Sequence, residues 1–307
     1  MTPQIIGPEA EARLDWIALT EALAAGHALP PAEIADSFLY RGKDTLLTRS
    51  AWIDGLGLAV KAATICPGNP RQGLPMVNGV VNLIDDGTGQ LLALVDFHLV
   101  TRWKTAGDSL LSARMLARKT ARRVLVVGAG QVAGSMIAAY RALIPDAQVT
   151  IWNRSPAAAE TLAAEVGAAV AGDLADAVAA AEIIATTTMA QDPLIRGEWL
   201  SPGTHLDLIG AYRPDMREVD DTALRRARLF VDSRKTTIGH IGEIQIPLDR
   251  GVITEADIVA DFYDLPSGRY ARAGDDEITI AKNGGGAHLD LMTARYILDA
   301  ASSGASA

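Results

Sequence analysis

Residues 124–134 read VLVVGAGQVAG, an apolar run that breaks into Gly-Ala-Gly. Such a run, followed by an amphipathic stretch, spells a strand, a tight turn and a helix. Gly128-Ala129-Gly130-Gln131-Val132-Ala133 fits the dinucleotide fingerprint, with alanine in the third glycine position. Gly128 permits the turn, Gly130 lets a pyrophosphate approach the backbone, and Ala133 keeps helix and sheet close. Gln131 and Val132 then open the helix whose first amides point at the phosphates. Where an acidic residue would accept the ribose hydroxyls, residues 149–156, VTIWNRSP, offer Asn153, Arg154 and Ser155 instead. A carboxylate repels a 2′-phosphate, whereas a guanidinium pairs with it and the amide and hydroxyl donate to its oxygens. NADPH is therefore the expected coenzyme. NADH stays open, because Arg154 could instead stack on adenine or face solvent.

Outward from this stretch, residues 123–232 alternate short apolar runs with helical segments, among them QVTIWN, PAAAETLAAEVG, EIIATTTM, THLDLIGAY and ARLFVDS. The alternation predicts an α/β fold with a parallel sheet covered on both faces, a Rossmann domain assigned to residues 116–287. Thr186, Thr187, Thr188 and Met189 end one strand at the carboxyl edge, where open α/β sheets hold ligands. Thr188 and Met189 are thus coenzyme candidates, with β-branched strand filler as the plainer alternative. Residues 1–115 follow a different pattern. A helical stretch, EARLDWIALTEALAAGHAL, stops at Pro30-Pro31, and the runs TLLTRSAW, GLAVKAATI, NGVVNLID and QLLALVD follow. They predict an α+β domain of antiparallel strands, with a hairpin connection at Asp85-Asp86-Gly87-Thr88-Gly89. A long helix is expected in FHLVTRWKTAGDSLLSARMLARKTA, entered from a loop. The tail ITIAKNGGGAHLDLMTARYILDA reads as strand, glycine loop and helix, and SSGASA as a frayed end.

Composition narrows the function classes. The chain of 307 residues is 49% hydrophobic and 21% charged, which suits globular domains with a real core. With 37 acidic against 28 basic residues the net charge is −9, which disfavours a nucleic-acid partner. No secretory signal and no uninterrupted apolar run of ~18 residues is present, so no membrane span is expected. A lone cysteine, Cys66, excludes an internal disulfide framework and fits a reducing cytoplasm. Five scattered histidines carry no metal-ligand spacing, and no metal is expected. Lys61, in GLAVKAAT, is odd in an apolar strand unless its ammonium meets an anion. A solvent-facing position is the bland alternative.

The stretches VKAATICPGNPRQGLPMVNGVVNLID, VTRWKTAGDSLLSA, VGAGQVAG, IWNRS, GEWLSPGTHLDLIGAYRPDMREVDD, VDS and AKNGGGAHLDLMTA together resemble the ornithine cyclodeaminase/mu-crystallin family. The likeness spans residues 46–294. It implies a homodimer, with a substrate and dimerisation domain built from the N-terminal strands and completed by the helix of residues 288–307. It also implies chemistry at a carbon–nitrogen double bond beside a carboxylate. Lys61 is then the lysine beside the substrate carboxylate and reacting nitrogen. Lys104 stands where the family has a carboxylate-gripping arginine, keeping the charge but losing the fork. Thr105 would face the coenzyme phosphates. Asp108 falls where a small residue is usual, and the sequence offers no account of it. An N-terminal arginine, Arg49 or Arg41, would also contact the carboxylate.

Tyr212 stands where cyclodeaminases carry an aspartate, which points away from deaminative cyclisation and toward the imine-reductase branch. Tyr212 itself could bond substrate or coenzyme, or simply pack. His288 follows three glycines and could donate a proton, or be satisfied by backbone at a helix start. Asp290 reads as a helix-start residue rather than a catalyst. The expected activity is NADPH-preferring reduction of a small cyclic imino acid, such as 1-pyrroline-2-carboxylate to L-proline or its six-membered homologue to pipecolate. Lys61 or a water-linked donor would keep the ring nitrogen protonated. The alternatives are an ornithine cyclodeaminase, an alanine-dehydrogenase-like oxidoreductase, and a protein that keeps NADPH and sequesters a small ligand.

Overall fold

Hairpin-connected strands frame the first of two units in the computed structural model, which describes residues 2–303. This unit comprises Met1–Lys104 and Gly286–Ala307. Its sheet contains β1 (Gln4–Ile6), β2 (Glu33–Arg41), β3 (Asp44–Ile53), β4 (Gly57–Ile65), β5 (Val77–Ile84) and β6 (Leu91–Asp96), in the order β1-β6-β5-β4-β3-β2. The strands from β2 to β6 pair antiparallel, as the hairpin pattern predicts, whereas β1 joins β6 in parallel. Period-two alternation gives the sheet an inner face: Ala51, Ile53, Ala59, Ala63, Val81, Leu83, Ala93 and Val95 are all buried. The last helix, Ala287–Ser303, packs on it, and helix α1 (Trp16–His27) packs against that helix. A Cβ added at Gly26 would lie 2.7 Å from the Met292 side chain, so the two helices approach closely there.

The second unit, Thr105–Gly285, holds an eight-stranded sheet. It is made of β7 (Arg123–Val127), β8 (Gln148–Trp152), β9 (Ala169–Val170), β10 (Ile183–Thr186), β11 (His205–Leu208), β12 (Arg228–Val231), β13 (Ile258–Ala260) and β14 (Thr279–Lys282). All pairs are parallel, in the order β13-β12-β14-β11-β10-β7-β8-β9. The helices are α3 (Gln131–Leu143), α4 (Pro156–Val166), α5 (Leu174–Ala180), α6 (Asp221–Arg226), α7 (Arg234–Thr237) and α8 (Gly242–Asp249). Continuous burial along β7, β10 and β11 fits central strands covered on both faces.

Four details depart from the sequence expectations. Strand β2 carries no alternation, because nearly every residue of it is exposed at the sheet edge. Helix α2 (Phe97–Leu116) starts directly from β6 rather than from a loop, with Asp96 accepting from Leu99 N at 2.7 Å. The division between units falls between Lys104 and Thr105, not at residue 115. The division falls inside helix α2, so no loop in the sequence marks it. Finally, helix α9 (Ala287–Ser303) runs through Ser302 and Ser303, whose hydroxyls bond the carbonyls of Leu298 and Asp299. The rest of the expected frayed end, residues 304–307, lies outside the described residues. No described helix is long and apolar enough to cross a membrane.

Candidate active site

In the first unit, Asp36, Arg49, Lys61, Val81 and Val95 are cross-strand partners in one row over β2 to β6. Because side chains in register share a face, the row passes from a buried apolar end to a charged end near the open edge. Lys61 sits at the change, 7% exposed, so a solvent-facing lysine is ruled out. Its Nζ donates to Thr101 Oγ1 at 2.7 Å and to Asp290 Oδ1 at 2.9 Å, and lies 4.6 Å from the centre of the Phe97 ring. Phe97, Thr101 and Lys104 recur at helical spacing, which puts them on one face of α2. Burial pulls the Lys61 ammonium below the usual lysine range and Lys104 and Arg49 reinforce this, while Asp290 opposes it. Burial likewise pushes the Asp290 carboxyl up, but Lys61, Lys104 and Arg49 outweigh it and hold it below the usual carboxylate range.

Of the two candidate arginines, Arg49 stands beside Lys61 on the neighbouring strand, whereas Arg41 is exposed and paired with Asp44 at the β2–β3 turn. Lys104 is half-buried, and its charge is felt at both Lys61 and Asp290. Asp290 lies in the first turn of α9, yet its carboxylate turns inward: it is 1% exposed and pairs with Lys61. His288, two residues earlier and roughly 200° around the helix, stands edge-on to His27 with ring centres 5.4 Å apart. It is 1% exposed within the α1–α9 packing. Burial lowers the His27 pKa to about 4, so that ring is neutral at physiological pH. The structure therefore groups Lys61, Lys104 and Arg49 and sets His288 apart, on the opposite side of α9 from the ammonium. Thr101 carries no signal in the sequence, and Asp290 shows there only as a helix-start residue. A usable signal existed, since Asp290 shares a helical face with Ala287, Leu291 and Ala294, where an unpaired acid would be costly.

In the second unit, Gly128 has φ 122°, and a Cβ there would lie 2.3 Å from Thr187 Oγ1. Gly128 N donates to Trp152 O at 2.8 Å, which brings the β7 turn against the end of β8 and hence near Asn153. Gly130 is the N-cap of α3, and a Cβ there would meet nothing within 4 Å. Gln131 and Val132 are exposed in the first helical turn, and Ala133 is fully buried against the sheet. Amides at an open helix start can hold an anion such as a phosphate. Asn153 is half-buried and donates to Ser155 O at 3.0 Å, while Arg154 and Ser155 are exposed ahead of α4.

Glu218, also missed in the sequence, organises the loops at the carboxyl edge. Its carboxylate accepts from Thr186 Oγ1 at 2.8 Å, Thr188 N and Oγ1 at 2.9 and 2.7 Å, and Gly210 N and Ala211 N at 2.9 and 3.1 Å. Glu243 in turn accepts from Glu218 N and Val219 N, and burial followed by Glu218 pushes its pKa up to about 7. Thr186 and Thr188 thus do more than fill a strand. Met189 and Tyr212 are 68% and 58% exposed, so packing does not explain Tyr212. Thr105 is half-buried on α2. Asp108 is buried and accepts from Asn283 Nδ2 at 2.7 Å, so it anchors the segment before the glycine loop. Asp232 holds that loop through Gly284 N and Gly285 N at 2.9 and 2.6 Å.

Together these features define a two-unit α/β protein that pairs a Rossmann sheet with a cation-bearing antiparallel sheet. The chain belongs to the ornithine cyclodeaminase/mu-crystallin family, whose model matches residues 51–305. Among its relatives, the Delta(1)-pyrroline-2-carboxylate reductase of Paracoccus denitrificans is 49% identical over 94% of each chain. Among solved structures, the Thermococcus litoralis Delta(1)-pyrroline-2-carboxylate reductase in complex with NADH and L-proline superposes with a TM-score of 0.87 at 25% identity, covering 98% of each chain. An archaeal alanine dehydrogenase dimer with bound NAD gives 0.88 at 27% identity, over 99% of this chain and 98% of that one.

Proposed function

We propose that the protein is an imine reductase that converts 1-pyrroline-2-carboxylate to L-proline with a nicotinamide dinucleotide. The observation that carries this reading is the buried Lys61 ammonium, one strand from Arg49 and one helix from Lys104. Three cations near one another suit a small molecule with one carboxylate and a basic nitrogen. The relatedness to pyrroline-carboxylate reductases supports the same substrate class.

Gly128, Gly130 and the open start of α3 fit a dinucleotide pyrophosphate, and the dihydronicotinamide would supply the hydride. The protein's own residues do the rest. Arg49 and Lys104 hold the carboxylate and so orient the ring. Lys61 transfers its remaining proton to the ring nitrogen and is left a neutral amine, which makes the ring an iminium, a far better hydride acceptor than the neutral imine. The apolar surround of Phe97, Val81 and Val95 strengthens both interactions by excluding water. Thr188, positioned by Glu218, lies at the coenzyme edge, with Met189, Tyr212 and Thr105 as further contacts. Arg154 favours NADPH over NADH: it is exposed beyond β8, next to Asn153 and Ser155. We further propose a homodimer, because Phe38, Leu39, Tyr40 and Trp52 stand 49–72% exposed around the β2 edge. Cys66 is free, in keeping with a cytoplasmic enzyme.

The test is a steady-state assay. Oxidation of NADPH or NADH with 1-pyrroline-2-carboxylate and release of L-proline is the expected result. Ammonia and proline released from L-ornithine would establish the cyclodeaminase instead, and saturable ligand binding without turnover a storage protein.

A further inference from the structure

We propose that Asp290 is the positioning residue for Lys61, fixing its ammonium on the inner face of the sheet and keeping it charged at the working pH. The proposal rests on the reading of Lys61 as the group beside the substrate nitrogen, and adds the device that makes it usable.

Geometry carries the case. An ammonium has three hydrogens. Thr101 and Asp290 take two of them at 2.7 and 2.9 Å, which aims the third and leaves it for a ligand. Phe97 lies 4.6 Å away and closes one side by a cation–π contact. Asp290 is equally specialised. A carboxylate early in a helix ordinarily accepts backbone amides, yet Asp290 accepts only from Lys61 among the described residues. Its Oδ2 is buried and has no hydrogen-bond partner among the described residues. Removing either member of such a buried pair is costly.

The charge it answers is specific. The groups facing Lys61 are Lys104 on α2, Arg49 on β3 and Asp290 on α9, while β5 presents Val81. Of these only Asp290 is an acid. Without it, burial and two neighbouring cations would all drive Lys61 toward its neutral form, which can neither attract a carboxylate nor protonate an imine.

The experiment is an NMR titration of the full-length protein labelled with [13Cε]lysine, which has six lysines. The Lys61 resonance is assigned by its loss in Lys61→Met. Asp290→Asn should lower the Lys61 midpoint by ~1–3 pH units. The alkaline limb of the kcat profile should move down with it, while KM changes less than kcat. Asp290→Glu should restore the midpoint but only part of kcat. An unmoved midpoint in Asp290→Asn, or a uniform loss of kcat at every pH, would overturn the proposal. Should Asp290→Asn not fold, Asp290→Glu carries the test. Its midpoint must stay at the wild-type value while kcat falls, and a dropped midpoint or an unchanged kcat refutes the idea. The midpoint is read without turnover. A wild-type protein that fails to reduce the imino acid would therefore undo the functional reading while the coupling of Lys61 to Asp290 is judged separately.

Discussion

Asp36 holds Arg49 across the β2–β3 ladder, its two carboxylate oxygens accepting from Nε at 3.0 and 3.1 Å and one of them 2.9 Å from Nη2. Both side chains are partly exposed, so the pair adds little to stability. Its value is aim: the guanidinium is fixed in the same cross-strand row as Lys61. Arg49→Lys keeps the charge and loses the fork. We expect KM for the imino acid to rise about tenfold, roughly 1.4 kcal/mol of binding, with kcat nearly retained. Steady-state kinetics check this, and an unchanged KM removes Arg49 from the carboxylate site.

Lys61 and Asp290 make opposite demands on stability and activity. Lys61→Met leaves a buried carboxylate unpaired and should cost ~3–5 kcal/mol of folding stability. Turnover should fall by orders of magnitude while coenzyme binding in the other unit is nearly unaffected. The double variant Lys61→Met/Asp290→Leu should recover most of the stability and none of the activity. Urea denaturation beside a turnover assay separates the two; activity regained in the double variant contradicts the assigned role.

The two glycines of the β7–α3 turn should respond differently to alanine. At Gly128 the positive φ and the Thr187 contact oppose any side chain, so Gly128→Ala should lower the melting temperature and coenzyme affinity together. At Gly130 the backbone is extended and the added methyl meets open space. Gly130→Ala should therefore keep wild-type stability and lose coenzyme affinity at least about tenfold, since the methyl stands where a pyrophosphate would approach. Fluorescence titration with NADPH, alongside thermal melts, measures both.

Arg154→Ala removes a guanidinium exposed beyond β8. Affinity for NADPH should drop about tenfold or more, the scale of one charge-assisted pair, with NADH affinity changed little. Equal losses for both coenzymes would mean that Arg154 does not read the 2′-phosphate.

Glu243 introduces a pH dependence whose sign follows from its carboxyl pKa, raised from 4.5 to about 7 by burial and by Glu218. Between those values the native state keeps a proton that the unfolded chain has released. The contribution is fully present below pH 4.5 and is lost as pH rises through 7, on the order of 3 kcal/mol at most. Glu243→Gln should flatten the stability profile in that window. Urea melts at pH 5 and pH 8 test it, and a slope equal to that of the wild type rules out Glu243 as its source.

Local order alone made much of this protein legible. Residues 124–134 announce strand, turn and helix because glycine spacing and apolar periodicity act over a few bonds, and β4 matches the run GLAVKAATI residue for residue. An isolated lysine in an apolar strand likewise signals a buried anion partner, since burying a bare charge is prohibitive. What the sequence could not supply is which anion. Asp290 lies 229 residues from Lys61, and only the packing of α9 on the sheet brings them together. The same holds for Arg49 over Arg41, decided by strand register, and for His288, turned away by helical phase. Glu218 and β2 were hidden for related reasons: one acts through amides and hydroxyls 7 to 32 residues away, the other is an exposed edge without alternation. Short-range sterics and hydropathy are written in neighbouring residues, whereas charge pairing across a core depends on which elements meet.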